Sequence, residues 1–136
     1  MNLKNAIILL AFLLILNGLG MYFDWYITYP WHDSILHFLG GIFAAFLVTA
    51  KFKSYLRDDR ILEDFLFIVG VTLIIGVFWE FAEYYGLVQE LYGFIEIKTH
   101  AVDALGDTIT DLVMDTLGAI ALASGYLLAT RKRGTA

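Results

Sequence analysis

Cysteine is absent from this chain, which excludes disulfides, thiolate metal ligands and thiol redox chemistry. Proline occurs once, at Pro30, and leaves the long apolar runs unbroken. Charge is sparse: 17% of the 136 residues are Asp, Glu, Lys or Arg, with a formal net charge of −5. No basic face with interleaved aromatics exists, so nucleic acid is excluded as a partner. The negative balance does not point to a basic partner either. Most of the acids lie in or beside the apolar runs, and the bases lie elsewhere.

Apolar surface is what the chain has in excess. Apolar residues make up 60% of it, against about 45–50% in an ordinary soluble domain. The excess sits in runs long enough to cross a bilayer as helices, which takes roughly 20 residues each. Four spans fit, at about 5–23, 34–52, 61–85 and 103–130. The expected fold is all-α: a polytopic integral membrane protein, a four-transmembrane-helix bundle forming a single membrane domain over residues 1–136. No repeat or low-complexity tract divides it. The first span resembles a secretory signal, with small residues at "GLG" (18–20), but its apolar run is long for a signal core. It is read as a true span. The segment 86–102 is compatible with an interfacial helix or a re-entrant turn.

Lys and Arg set the orientation. Lys4, Lys51, Lys53, Arg57, Arg60, Arg131, Lys132 and Arg133 fall on one side of the bundle, and Lys98 alone falls on the other. That asymmetry is a positive-inside signature and places both termini in the cytoplasm, N-in and C-in. Trp25, Trp31, Trp79, Tyr84 and Tyr85 gather near the opposite, outer interface, where amphipathic rings prefer to sit.

Against this frame the buried acids stand out. In "GDTITDLVMDTLGA" Asp107, Asp111 and Asp115 are spaced four residues apart. They lie about 6, 12 and 18 Å below Asp103 at 1.5 Å per residue, and each step drifts only about 40° around the helix. The third span brings Glu80 and Glu83 to the same depth, and the second brings His37, with His32 and Asp33 at its rim. Asn17 lies within reach of them. Small residues continue the same stripes: Gly40, Gly41, Ala44 and Ala45 below His37, Gly76 below Glu80, Gly118 and Ala119 below Asp115. Small residues let membrane helices approach closely, so the polar faces are the faces on which the helices meet.

An aspartate at the centre of a membrane helix costs about 2.5–3.5 kcal/mol. Neighbouring anions also repel, so some must be protonated or neutralised. No Lys or Arg lies at that depth. Carboxylates with one imidazole suit divalent ions such as Mg²⁺, Mn²⁺ or Zn²⁺. The candidate metal ligands are His37, Glu80, Asp107 and Asp111, with Glu83 or Asp115 as the general base. Simpler roles suit other polar residues: helix capping for Asp33, Ser34 and Asp103, an interfacial position for His32, and first-turn acids for Glu63 and Asp64. The residues of the pocket itself also fit a purely structural hydrogen-bond network.

Three short elements, "DSILHFLGG" (Asp33, His37, Phe38), "WEFAE" (Trp79, Glu80, Glu83) and "GDTITDLVMDTLGA", resemble the YjdF-like family of inner-membrane proteins over roughly residues 30–120. More loosely they look like the VanZ-like membrane proteins, in which D-x3-H-F, E-x2-Q and D-x3-N-x2-G elements occur in that order. By position these match Asp33, His37 and Phe38, then Glu80, then Asp111 and Gly118. Glu83 stands where that pattern has glutamine and Asp115 where it has asparagine, so this site is more acidic. The VanZ-like proteins are associated with glycopeptide-antibiotic tolerance, and the resemblance implies a cell-envelope setting in the inner membrane. Spaced aspartates also hold Mg²⁺ and diphosphate in membrane prenyltransferases and CDP-alcohol phosphotransferases. Their arginine and partner acidic motif are missing here, so the likeness is one of mechanism only.

Three functions fit such a pocket. The first is a metal-dependent hydrolase or transferase acting on an envelope lipid, with the ion activating water. The second is a cation or proton conduit along the aspartate ladder, although below Asp115 only Thr116, Ser124 and Thr130 continue a path. The third is a structural or accessory subunit. Membrane lipids are the expected partners in each case.

Overall fold

A computed structural model describes residues 3–56, 59–84 and 104–134. The described residues are helical, with no strands among them. Helix α1 covers Leu3–Tyr22, α2 Trp25–Thr28, α3 Trp31–Lys51, α4 Ile61–Tyr84 and α5 Ala104–Gly134. Four of them, all but α2, are long and apolar enough to cross a membrane, with mean hydropathies of 1.6–2.3. The bundle expected from the apolar runs is therefore present.

Two boundaries differ from the sequence reading. Helix α3 begins at Trp31 rather than near Ser34 because Pro30, already in helical geometry (φ −56°, ψ −24°), initiates it. Asp33 thus lies inside the first turn and Ser34 beyond it, and the helix has no side-chain cap. The single turn α2 was not expected. It follows Asp24, which takes a left-handed conformation (φ 55°) that aspartate tolerates better than most residues. Asp103 and the segment 86–102 lie outside the described residues.

The most extensive pairing is between α3 and α5, followed by α4 with α5. Glycine explains its closeness. A Cβ on Gly41 would strike the backbone carbonyl of Asp115, and one on Gly118 would strike that of Phe38. The two helices touch backbone to backbone at these points. One end of this contact holds the polar residues. Further along, Ala45, Val48, Ile68, Ala119 and Ala123 close into an apolar core. Helix α1 packs on α2 and α3, and its backbone keeps more than 8 Å between Cα atoms from α4 and α5 among the described residues.

Hydroxyls along the spans bond to their own helices. Thr72 Oγ1 donates to the Ile68 carbonyl at 2.8 Å and Thr116 Oγ1 to that of Leu112 at 2.7 Å. Such back-bonding satisfies a hydroxyl without a partner helix.

The glycine contact gives a direct test. Gly41→Ala pushes a methyl group into a backbone that cannot yield, and overpacking of this kind costs about 1–3 kcal/mol. Gly125, with nothing within 4 Å of a built Cβ, is the control. Gly125→Ala should be neutral or gain up to about 1 kcal/mol from helix propensity. Thermal unfolding in detergent should therefore separate the two variants, with only Gly41→Ala melting lower.

Candidate metal centre

His37 is buried one and a half turns into α3, and carboxylates approach it from three helices. On its Nε2 side stand Asp33 Oδ1 at 3.8 Å and Asp111 Oδ2 at 3.8 Å. On its Nδ1 side stand Asp115 Oδ1 at 3.6 Å and Glu80 Oε1 at 4.0 Å. All four separations exceed a good hydrogen bond, which ends near 3.2 Å for N–H···O. Glu80 Oε1 is buried and has no hydrogen-bond partner among the described residues. The imidazole is surrounded by acceptors yet bonded tightly to none.

That spacing has a physical reading. Two ligand atoms each about 2.1 Å from one ion, in tetrahedral array, stand about 3.4 Å apart. The observed separations are a little wider than that. Two sets of three residues bring candidate ligand atoms within 4.8 Å of one another: Asp33, His37 and Asp111, and His37, Glu80 and Glu83. At 4.8 Å two like charges repel by roughly 3.5 kcal/mol in an effective dielectric of 20. Among the described residues His37 is the one basic group in the cluster, so a positive ion is the natural counterweight.

The structure brings His37, Glu80 and Asp111 together, with Glu83 and Asp115 beside them. Asp107 stands apart. It is exposed and belongs to neither ligand set. The four-residue spacing accounts for this: a drift of about 40° per step turns Asp107 some 80° from Asp115, which is enough to leave the packed face.

Asp33 was assigned to capping, but it faces His37 across one turn of its own helix. The signal was present as an Asp–His pair four residues apart, a spacing that puts both side chains on one face. His32 is buried, packed edge-on against Trp25 and Tyr26 at ring separations of 5.3 and 5.2 Å. Gly20 leaves the room it occupies, since a Cβ there would meet the imidazole. This histidine fastens α1 to α3 and lies outside the acidic cluster.

Beside the cluster opens a cavity of about 270 Å³ between α1, α3 and α4. Asn17, Asp33, His37, Glu83 and Asp115 line its polar end. Leu10, Leu13, Leu14, Phe43, Leu47 and Ile75 line the rest. Asn17 Oδ1 is buried there without a hydrogen-bond partner.

The chain belongs to a family described as "Predicted membrane protein (DUF2238)", which it matches over residues 2–133. This is the YjdF-like family that the three short elements resemble, whereas the looser likeness to VanZ-like proteins is not supported. No curated protein and no solved structure matches the chain.

Proposed function

We propose that this membrane protein binds a divalent cation on His37 and uses it to act on an envelope lipid as a hydrolase or transferase. The observation that carries the reading is the ring of carboxylates around one buried imidazole, each too far away to be satisfied by it. Nε2 with Asp33 and Asp111 makes the better ligand set, because Asp115 then faces Nδ1 and orients the ring. Carboxylate–histidine–metal arrangements of this kind raise ligand basicity. Three protein ligands leave positions open for water and substrate. A bound Mg²⁺, Mn²⁺ or Zn²⁺ lowers the pKa of its water and polarises a carbonyl or phosphoryl oxygen. Glu83, half-buried at the polar end of the cavity, is placed to take the proton, with Asp115 deeper.

A conduit is less well supported. Beyond Asp115 the path runs into Ala45, Ile68, Ala119 and Ala123, all fully buried. The hydroxyls of Thr72 and Thr116 are both bonded to their own helices. The pocket has an apolar floor.

The orientation with both termini cytoplasmic belongs to the same proposal. It puts the cluster toward the outer leaflet, and a reporter fused after Ala136 that behaved as extracytoplasmic would overturn it. The binding site itself is tested by the divalent metal content of the purified protein, compared with that of Asp111→Asn.

A further inference from the structure

The cavity beside the cluster lies between α1 and α4, whose Cα atoms nowhere come within 8 Å of each other among the described residues. On its walls Leu10, Leu14, Leu47, Ile75 and Trp79 are each 40–47% exposed. In a membrane such a slot faces hydrocarbon, not water. From His37 to Leu47 along α3 it extends about 15 Å at 1.5 Å per residue.

We infer that this slot takes one acyl chain of a membrane lipid, entering sideways between α1 and α4, and lays the chain's ester carbonyl against the His37 cluster. The inference rests on the proposed metal site and adds the substrate class and its route of entry.

Three features fit that occupant. The first is size. At about 270 Å³ the slot falls just below the roughly 300–1,000 Å³ of ordinary ligand pockets. It has room for a single chain, and the second chain of a diacyl lipid stays in the bilayer. The second is the distribution of polarity. One end carries Asn17, Asp33 and His37, and the remainder is aliphatic, as an amphiphile requires. The amide of Asn17 has no partner at its oxygen, and a half-turn of that amide presents an N–H donor to a carbonyl.

The third feature is charge, which selects the ester over the phosphate. Five carboxylates surround the site, and among the described residues no Lys or Arg lines the slot to hold an oxyanion. A neutral carbonyl oxygen can approach a cation there without adding to the repulsion. A phosphate cannot.

The test uses the full chain in nanodiscs built from ether-linked phosphatidylcholine. A small fraction of phosphatidylcholine is added whose one ester-linked chain carries a diazirine at mid-length. Mn²⁺ binding is measured first, by electron paramagnetic resonance, without the probe. After illumination, mass spectrometry maps the labelled residues. Labelling is expected to concentrate on Leu13, Phe43 and Leu47, to rise several-fold with Mn²⁺, and to fall to the level of lipid-facing Ile8 and Phe78 when the probe chain is ether-linked. If Mn²⁺ binds but Leu13 and Phe43 label no more than Ile8 and Phe78, the chain does not enter and the inference is overturned. Equal labelling by ester and ether probes overturns the carbonyl contact. Absence of Mn²⁺ binding at the outset overturns the metal site on which both stand.

Discussion

His37→Ala should be the most damaging single substitution in the chain. The imidazole is the one basic group among Asp33, Glu80, Asp111 and Asp115, which approach it to 3.6–4.0 Å. Without it the proposed ion loses a ligand and the carboxylates it would neutralise face one another, and leaving buried charge uncompensated costs about 3–5 kcal/mol. Total stabilities are only about 5–15 kcal/mol, so a large drop in melting temperature is expected. The lost side-chain volume also costs stability, and a second substitution separates the two causes. Asp111→Asn added to His37→Ala relieves repulsion without refilling the space. The double variant should therefore melt above His37→Ala alone. If His37→Ala melts like the wild type, or if Asp111→Asn gives no relief, the acids are not held in check by the imidazole.

The second large effect should come from removing metal. An ion that binds only the folded state stabilises it by about 2.7 kcal/mol when present at a hundredfold its dissociation constant. Chelation should lower the melting temperature accordingly, and Mn²⁺ or Zn²⁺ should restore it. Asp111→Asn keeps the shape of a ligand but removes its charge, so the response should be lost or much reduced. Glu80→Gln should weaken the response too, because it removes charge beside the ion. Asp107→Asn should leave it intact, since Asp107 is exposed and outside both ligand sets. A network that merely shares protons behaves otherwise. It ignores chelators and loses stability as rising pH strips the shared protons away, and there Glu80→Gln would stabilise the fold by removing an acid.

Much of this architecture is legible in the sequence because membrane solvation leaves few choices. Runs of about 20 apolar residues must be helices, as no other open structure satisfies the backbone in lipid. The convergence of His37, Glu80 and Asp111 was legible for the same reason, since burying them on helix–helix faces is cheaper than exposing them to hydrocarbon. The glycine stripes identified those faces, and Gly41 and Gly118 do mark the backbone contact between α3 and α5.

What escaped depended on angles and boundaries. The apolar run suggests a start of α3 near Ser34 and a capping role for Asp33, whereas the helix starts at Trp31 and turns Asp33 toward His37. Asp107 looked equivalent to Asp111 because spacing alone does not say where a neighbouring helix stops covering the face. The slot between α1 and α4 left no sequence signal. Its walls are mostly ordinary apolar residues, and the separation of the two helix backbones makes it a slot.

A cation held by the cluster is detected by elemental analysis of the protein purified in mild detergent without chelators, beside Asp111→Asn prepared in the same way. Wild-type protein is expected to carry a divalent ion in stoichiometric amount, or to take one up on titration with Mn²⁺ or Zn²⁺, and Asp111→Asn to carry far less. A folded wild-type chain that contains no divalent ion and takes none up would contradict the account, leaving His37 and its carboxylates as a purely structural network.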